Sequence, residues 1–366
     1  MRLHNYWWVL IWILLFGIIS SIFDVKQREI VLGRLVLRWK WFYVVVLGLP
    51  YVVWAGWRPD IFGDTTLYRA TFLNMPTGLS NMVSFVKSRP KGPGFSVLEY
   101  LFKTFVSHSD KAFFLFIALL QLYFVFRVYR KYSRDFWLSV FLFVASTDYI
   151  LWMYNGIRQF VAASFIFTCI PLLVRRKYLE MCVMVVLAAL IHSTALIYIP
   201  FIFVVNGRAW NKRTLLFIVG LVTAILFVNQ VSGFMIQAME GTVYEGDISI
   251  FVNDDGTNVL RVLFYAVPTV MAWVYRSSIV RANDPMINLC VNLSIISTGI
   301  YVFSVFTSGV LIGAVPIYFS LGNYILIPWF LTEVYDSGTR KIITAVFIVV
   351  YCFFFYYQCG VTWKIL

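Results

Sequence analysis

Two arginines lie beside apolar runs of this chain, where a charged side chain is costly to place. Arg158 falls in the run MYNGIRQFVAASF, with Asn155 three residues before it and Gln159 directly after it. Arg261 precedes Tyr265 by four residues, so both lie on one face of a helix. Because a planar guanidinium binds phosphate and carboxylate groups through parallel hydrogen bonds, these residues predict a site for an anionic ligand.

A histidine and an aspartate supply residue types that proton transfer needs. His192 falls in the run LAALIHSTALI, and a histidine side chain can act as a general base near neutral pH. Asp64 stands four residues before Tyr68, and Arg58 and Arg69 flank this pair. The sequence therefore predicts His192 as a candidate base, and the Asp64 segment as a candidate polar site.

Each of these assignments has a structural alternative. Arg158 can be an interfacial anchor that extends to water or to a lipid phosphate, and Arg261 with Tyr265 can belong to an interfacial belt. His192 can bond to backbone groups at a helix break, since the Ser-Thr pair that follows it fits a helix start. The carboxylate of Asp64 can be solvated in a turn.

The sequence contains no pattern of metal ligands or of a bound cofactor. The run Asp254-Asp255-Gly256 favours a turn, because no further carboxylates stand at EF-hand spacing. There is no Gly-Lys phosphate loop, no HExxH run and no nucleophile elbow. We therefore predict a site without a metal ion and without a cofactor.

Membrane-spanning helices are the elements that must position these side chains. Of the 366 residues, 61% are hydrophobic and only 13% are charged, which is far from the composition of a soluble domain. Windows such as KAFFLFIALLQLYFVF approach the roughly 20 residues that cross a bilayer as a helix. The composition predicts an all-α polytopic integral membrane protein whose single transmembrane domain occupies residues 1–366.

The formal net charge of +13 is spread over short basic clusters between the apolar runs. Clusters of this kind are typical of membrane topology, so we expect no nucleic-acid partner. The positive-inside rule places these loops in the cytoplasm and the amino terminus outside. The clusters are Lys26, Arg28, Arg34, Arg38 and Lys40; Arg127, Arg130, Lys131 and Arg134; Arg175, Arg176 and Lys177; Arg208, Lys212 and Arg213; Arg276 and Arg281; and Arg340 and Lys341.

Placing spans between these loops predicts about ten crossings and one re-entrant helix pair. The pair covers residues 178–205 and turns near His192, because a single crossing there would put the next basic cluster outside. Single spans are expected at residues 136–153 and 214–234. Residues 58–111 then form an extracytoplasmic loop with interfacial helices, and residues 236–260 an acidic extracytoplasmic loop. All the candidate site residues map to the outer half of the membrane.

Five short segments follow one another between Arg58 and Ala266 and carry most of these candidates. They are R-P-D-I-F-G-D-T-T-L-Y from Arg58, G-P-G-F-S-V-L after Arg89, N-G-I-R-Q-F-V-A-A from Asn155, L-A-A-L-I-H-S-T-A-L-I from Leu187 and R-V-L-F-Y from Arg261. In this order they resemble the EpsG family, the Wzy-like polymerases of bacterial exopolysaccharide, capsule and O-antigen synthesis. One difference is that Ser320 stands where the family often carries a late arginine.

The resemblance implies a metal-independent glycosyltransferase at the outer face of the bacterial plasma membrane. A glycan chain on one undecaprenyl diphosphate carrier is transferred to the nonreducing sugar of a repeat unit on another carrier. His192 is then the first choice for the base and Asp64 the second. The expected partners are the two lipid-linked oligosaccharides, membrane lipid, a chain-length regulator and a flippase. The implied substrate-binding residues are Arg158, Arg261, Arg58, Arg69, Asn155, Gln159, Tyr68 and Tyr265.

Two other functions stay open on the sequence. A transporter or flippase for the same lipid-linked sugar would use arginines along a pathway, but the polar residues concentrate in one half of the membrane. A membrane acyltransferase would use the same histidine, and we would expect additional His or Arg residues on its cytoplasmic side.

Overall fold

Short polar side chains at the ends of the apolar runs set where several helices begin. The computed structural model describes residues 6–31, 34–60, 63–242 and 244–365, without the side chains of residues 31, 34 and 35. Capping side chains accept hydrogen bonds from the first backbone N–H groups, which have no partner within the helix. These capping residues are Ser109, Asp135, Asn211, Asn258, Asp284 and Asp336.

Helices make up most of the described chain, which divides into two compact units. The first unit comprises residues 1–168 and 327–366, and the second comprises residues 169–326. In chain order the helices are α1 (Trp7–Ile22), α2 (Trp41–Gly56), α3 (Thr65–Asn74), α4 (Met82–Lys87), α5 (Pro93–Phe105), α6 (Asp110–Tyr132), α7 (Phe136–Ala145), α8 (Asp148–Ile150), α9 (Ile157–Cys169), α10 (Pro171–Val174), α11 (Tyr178–Ile191), α12 (Tyr198–Val204), α13 (Lys212–Leu226), α14 (Val228–Met239), α15 (Ile248–Val252), α16 (Val259–Val274), α17 (Arg276–Ala282), α18 (Pro285–Val305), α19 (Ile317–Ser320), α20 (Asn323–Glu333) and α21 (Ser337–Tyr356). Short 3₁₀ segments are Leu79–Asn81, Ser193–Ile197 and Glu245–Asp247, and π-helical segments are Leu151–Asn155 and Tyr357–Thr362.

Four helical segments in the described ranges are long and apolar enough to cross a membrane, and the number rises to seven if each of three bent pairs is one span. The four are Asp110–Tyr132, Ile157–Val174, Pro285–Val305 and Ser337–Thr362. This confirms an all-α multi-pass membrane protein. The count of about ten crossings stays a prediction.

Three helix pairs in the described ranges are apolar and are bent at a short break. Helix α7 and the segment from Asp148 to Asn155 meet at 70°, with Thr147 between them in the left-handed region at φ 72°. Helices α13 and α14 meet at 93°, and α16 and α17 at 67°. The helices expected to run without interruption over residues 136–153 and 214–234 are therefore bent helix pairs.

A β-hairpin, which the sequence analysis missed, joins α1 to α2 in the first unit. Strand β1 (Lys26–Val31) pairs antiparallel with β2 (Arg34–Trp39). The hairpin packs on the end of α6: Arg130 Nε donates to the carbonyl oxygen of Trp39 at 2.6 Å, and Arg38 Nη1 donates to that of Ser133 at 2.9 Å. The first two predicted basic clusters therefore lie side by side.

The chain breaks its helix at His192, as predicted. Helix α11 ends at Ile191, and His192 has an extended backbone with φ −150° and ψ 112°. The Asn206 amide donates to the hydroxyl of Tyr178, and the rings of Tyr178 and Phe203 have centroids 6.4 Å apart. The end of α12 thus returns to the start of α11, as a re-entrant pair requires. The placement of this pair in a membrane stays a prediction.

The region of residues 58–111 contains the short helices α3, α4 and α5. It stays a prediction that this region and residues 236–260 lie outside the membrane. Ile61 and Phe62 of the first resembling segment, Val243 of the acidic loop, residues 1–5 and Leu366 lie outside the described residues.

Candidate functional site

The first resembling segment is anchored by Arg58, a buried side chain that is 3% exposed. Its Nη1 donates to the carbonyl oxygens of Ala55 at 3.2 Å and Met153 at 3.0 Å, and its Nε donates to Thr65 Oγ1 at 3.1 Å. Its guanidinium carbon lies 3.9 Å from the centroid of the Phe114 ring. Burial lowers the pKa of Arg58 to about 10, so the group stays charged at neutral pH.

The same segment is fastened to the segment that contains Arg158. The backbone N–H of Asp64 donates to Asn155 Oδ1 at 2.9 Å, and Thr65 Oγ1 donates to the carbonyl oxygen of Tyr154 at 3.4 Å. Gly63 has φ +51°, and a Cβ at this position would collide with the Asn155 side chain. The carboxylate of Asp64 lies on an exposed residue at the start of α3. The structure thus brings Arg58, Asp64 and Asn155 together.

Arg158 lies in the first turn of α9 and is half-buried beside Tyr68. Its guanidinium is hydrogen-bonded to the Tyr68 hydroxyl and lies 5.8 Å from the ring centroid. Burial raises the pKa of Tyr68, and the positive charge of Arg158 opposes this shift. In the described ranges Arg158 has no carboxylate within 4.0 Å, and its buried Nε has no acceptor. Gln159, the next residue, is buried.

Arg69 differs from Arg158 because its charge is compensated. It forms ion pairs with Asp60 and with Asp110, the latter with Nε and Oδ2 at 2.5 Å. The pair with Asp110 ties α3 to the start of α6. Its predicted role as a helper in diphosphate binding stays a prediction, as does that of Arg58.

Glu99 on α5 is a further acidic side chain of this region, and it is buried. It is 2% exposed, and its Oε1 has no hydrogen-bond partner among the described residues. Burial raises its pKa to about 7, although the charges of Arg89, Arg158 and Lys103 act in the opposite direction. The signal for it is present in the sequence, as a glutamate inside the apolar run FSVLEYLF.

In the second unit, His192 lies at the start of a short chain of hydroxyl groups. Its Nδ1 is 2.8 Å from Thr194 Oγ1, which is 2.9 Å from the Tyr318 hydroxyl. The neighbouring Ser193 is hydrogen-bonded to the hydroxyl of Tyr244. His192 itself is half-buried, so this arrangement orients one ring nitrogen and leaves part of the ring accessible.

Arg261 and Tyr265 share one face of α16, as their spacing predicts. The Arg261 guanidinium carbon lies 5.7 Å from the centroid of the Tyr265 ring. Tyr265 is 5% exposed and stacks on Tyr301, with centroids 5.1 Å apart and an interplanar angle of 11°. Ser320, at the position of the missing late arginine, is buried in α19.

Asp254 holds a turn in the second unit. Its Oδ2 accepts hydrogen bonds from Ser308 Oγ and the Val310 N–H, both at 2.7 Å, and its Oδ1 accepts one from the Gly256 N–H at 3.1 Å. Although burial acts to raise it, these hydrogen bonds hold the pKa of Asp254 below its usual value. Over the described ranges, no group of three or more His, Cys, Asp or Glu residues is arranged to hold a metal ion.

Comparison with known proteins identifies the family. No curated protein and no solved structure matches the chain. The model of the EpsG family matches residues 40–361, nearly the whole chain, and this range includes all five resembling segments. The family is associated with Wzy-like polymerases, which indicates a polysaccharide-polymerase-like role, consistent with a glycosyltransferase. The chain belongs to the EpsG family.

Proposed function

We propose that the protein polymerises a polysaccharide by transferring a glycan chain from undecaprenyl diphosphate to the nonreducing sugar of another lipid-linked repeat unit. In this proposal the reaction takes place at the outer face of the plasma membrane. The observation that best supports this proposal is the environment of the Arg158 side chain. This side chain lies in a family segment, is fixed by Tyr68, and has no carboxylate within ion-pair distance in the described part of the chain.

A guanidinium without a carboxylate in ion-pair distance suits a reaction with a diphosphate leaving group. As the anomeric C–O bond breaks, its electron pair stays on the diphosphate, and a fixed cation stabilises the developing charge. Arg158 is proposed for this role in the first unit. In the second unit Arg261 is proposed as a further phosphate-binding side chain.

The acceptor sugar provides the hydroxyl group that forms the new glycosidic bond. Its hydroxyl oxygen bonds to the anomeric carbon while its proton passes to a base, so the products are the elongated glycan and undecaprenyl diphosphate. His192 is the proposed base, because Thr194 fixes its Nδ1 and a histidine exchanges protons near neutral pH. Asp64 is the second choice. A flippase that delivers the repeat unit and a chain-length regulator are the proposed protein partners.

The experiment that tests this function uses the purified full chain in lipid nanodiscs with a lipid-linked repeat unit. We expect a ladder of longer glycans and the release of undecaprenyl diphosphate. A preparation that makes no ladder but moves the lipid-linked sugar across liposomes would contradict the proposal and indicate a transporter. Transfer of an acyl group to the sugar, without elongation, would indicate an acyltransferase.

A further inference from the structure

A cationic cavity of about 420 Å³ lies in the first unit, where the β-hairpin meets the end of α6 and the start of α7. Four of the side chains that line it are basic, namely Lys26, Arg38, Arg130 and Arg134. None of the residues proposed for glycan transfer lines this cavity. It is therefore a separate feature of the molecule.

Nearby carboxylates form ion pairs with two of the four basic side chains. Arg130, which is 6% exposed, forms an ion pair with Glu29 on β1. Arg134 Nη2 lies 3.0 Å from the carboxylate of Glu333, and the two side chains are 46% and 40% exposed. Lys26 is exposed at the start of β1. The cavity therefore keeps an excess of positive charge.

Arg38 is the half-buried one of the two basic side chains that contribute this excess. Its Nη1 donates to the carbonyl oxygen of Ser133, but within the described ranges its buried Nε has no acceptor and its guanidinium no ion pair. Burial and the neighbouring charge of Arg134 lower the pKa of Arg38. A buried donor without an acceptor costs free energy, and an anion bound in the cavity would remove that cost.

Apolar side chains in the same wall distinguish a lipid from a free anion. Leu37 is 61% exposed and lines the cavity beside Val36. The hairpin joins two strongly apolar helices, α1 and α2, and the Arg130 guanidinium carbon lies 4.7 Å from the ring centroid of Trp41 at the start of α2. Basic side chains, tryptophan and exposed apolar side chains in one place are typical of sites that face lipid head groups.

We propose that the cationic cavity binds the phosphate of an anionic phospholipid, with Arg38 donating to a phosphate oxygen and Lys26 supplying a second cation. The acyl chains then lie along the exposed apolar side chains of the hairpin. Bound lipid would also hold the hairpin against the end of α6.

The experiment measures lipid retention by native mass spectrometry of the purified full chain with equal amounts of phosphatidylglycerol and phosphatidylcholine. We expect preferential retention of phosphatidylglycerol, and about a tenfold loss of that retention in Arg38→Gln, because one charge-assisted hydrogen bond disappears. Arg28→Gln is the matched control, since Arg28 is exposed on the same hairpin and does not line the cavity. Inorganic phosphate at the same concentration should not displace the lipid.

Equal retention by wild type and Arg38→Gln would overturn the proposal, and so would equal retention of the two lipids. Displacement by inorganic phosphate would show a free-anion site and overturn the assignment to lipid. If Arg38→Gln does not fold, Lys26→Gln replaces it, because this exposed side chain can change without loss of the backbone pairing of the hairpin. A several-fold loss of phosphatidylglycerol in that variant supports the proposal, and unchanged retention contradicts it.

Discussion

The side-chain oxygen of Asn155 accepts a hydrogen bond from the backbone N–H of Asp64 at 2.9 Å, across 91 positions of the chain. Next to it, Arg58 donates to the carbonyl oxygen of Met153, and Thr65 to that of Tyr154. These hydrogen bonds therefore hold the start of α3 against the start of α9. The position of Tyr68 relative to Arg158 depends on these bonds.

Asn155→Ala should lower the free energy of unfolding of the protein by about 1 kcal/mol, because it removes the acceptor for the Asp64 N–H. The measurement is thermal unfolding of the purified protein in detergent. Asn155→Asp is the control: it keeps an acceptor oxygen, so it should keep most of the stability, while its negative charge close to Arg158 should weaken diphosphate binding. Equal destabilisation by both substitutions would contradict the role of this hydrogen bond.

Arg158→Ala should lower glycan elongation about 10²- to 10³-fold, the usual effect of losing a group that stabilises transition-state charge. Its unfolding temperature should change little, since Arg158 is half-buried and forms no ion pair among the described residues. Arg69→Ala is the matched comparison and should lower the unfolding temperature, because it leaves Asp110 partly buried and unpaired. If Arg158→Ala unfolds as readily as Arg69→Ala, Arg158 is a structural residue.

Glu99 should make the stability of the protein fall between about pH 4.5 and pH 7. Its pKa rises from 4.5 in the unfolded chain to about 7 in the fold, so the folded state binds the proton more tightly over this range. The stability present below pH 4.5 is then lost as the pH rises to about 7, by an amount of the order of 3 kcal/mol. Unfolding temperatures across this range should show the decline.

In Glu99→Gln the decline should be strongly reduced, because the amide does not titrate. Glu180→Gln is the control, since it also replaces a glutamate on a helix, but one that is half-exposed and forms an ion pair with Lys177. A slope that is the same in Glu99→Gln and in wild type would assign the pH dependence to other groups.

His192→Ala should lower the turnover number about 10²- to 10⁴-fold, as expected for the loss of a general base. Binding of undecaprenyl diphosphate should be retained, which a binding titration can check. Thr194→Val should lower the turnover number less, because it removes only the group that orients the imidazole at Nδ1. Wild-type turnover in His192→Ala would exclude the proposed base.

Sequence reasoning located the helix break at His192 because the charge of the following loop allowed only one arrangement. It could not anticipate what surrounds Arg58. The carbonyl groups of Ala55 and Met153 that accept from it lie at the end of α2 and in a π-helical segment, and only the folded backbone brings them to one side chain. For this reason Arg58 and Arg158 look alike in the sequence and differ in the structure.

The hairpin was missed for a different reason. Residues 26–39 follow one another in polar and apolar blocks, KQRE, IVLG, R, LVL and RW, and lack the alternation of polar and apolar side chains that marks a strand. Their basic residues indicated only the topology. The bends also have no clear sequence signal. Thr147, which takes the left-handed backbone at the first bend, is neither glycine nor asparagine, the residues that favour this conformation.

The return of α12 to Tyr178 has a consequence for the membrane orientation of the segments that follow it. Because Tyr178 and Asn206 lie in contact, we predict that the segment between them crosses the membrane an even number of times and leaves the orientation of the later spans unchanged. Reporter domains inserted after Lys177 and after Gly207 should therefore report the same compartment.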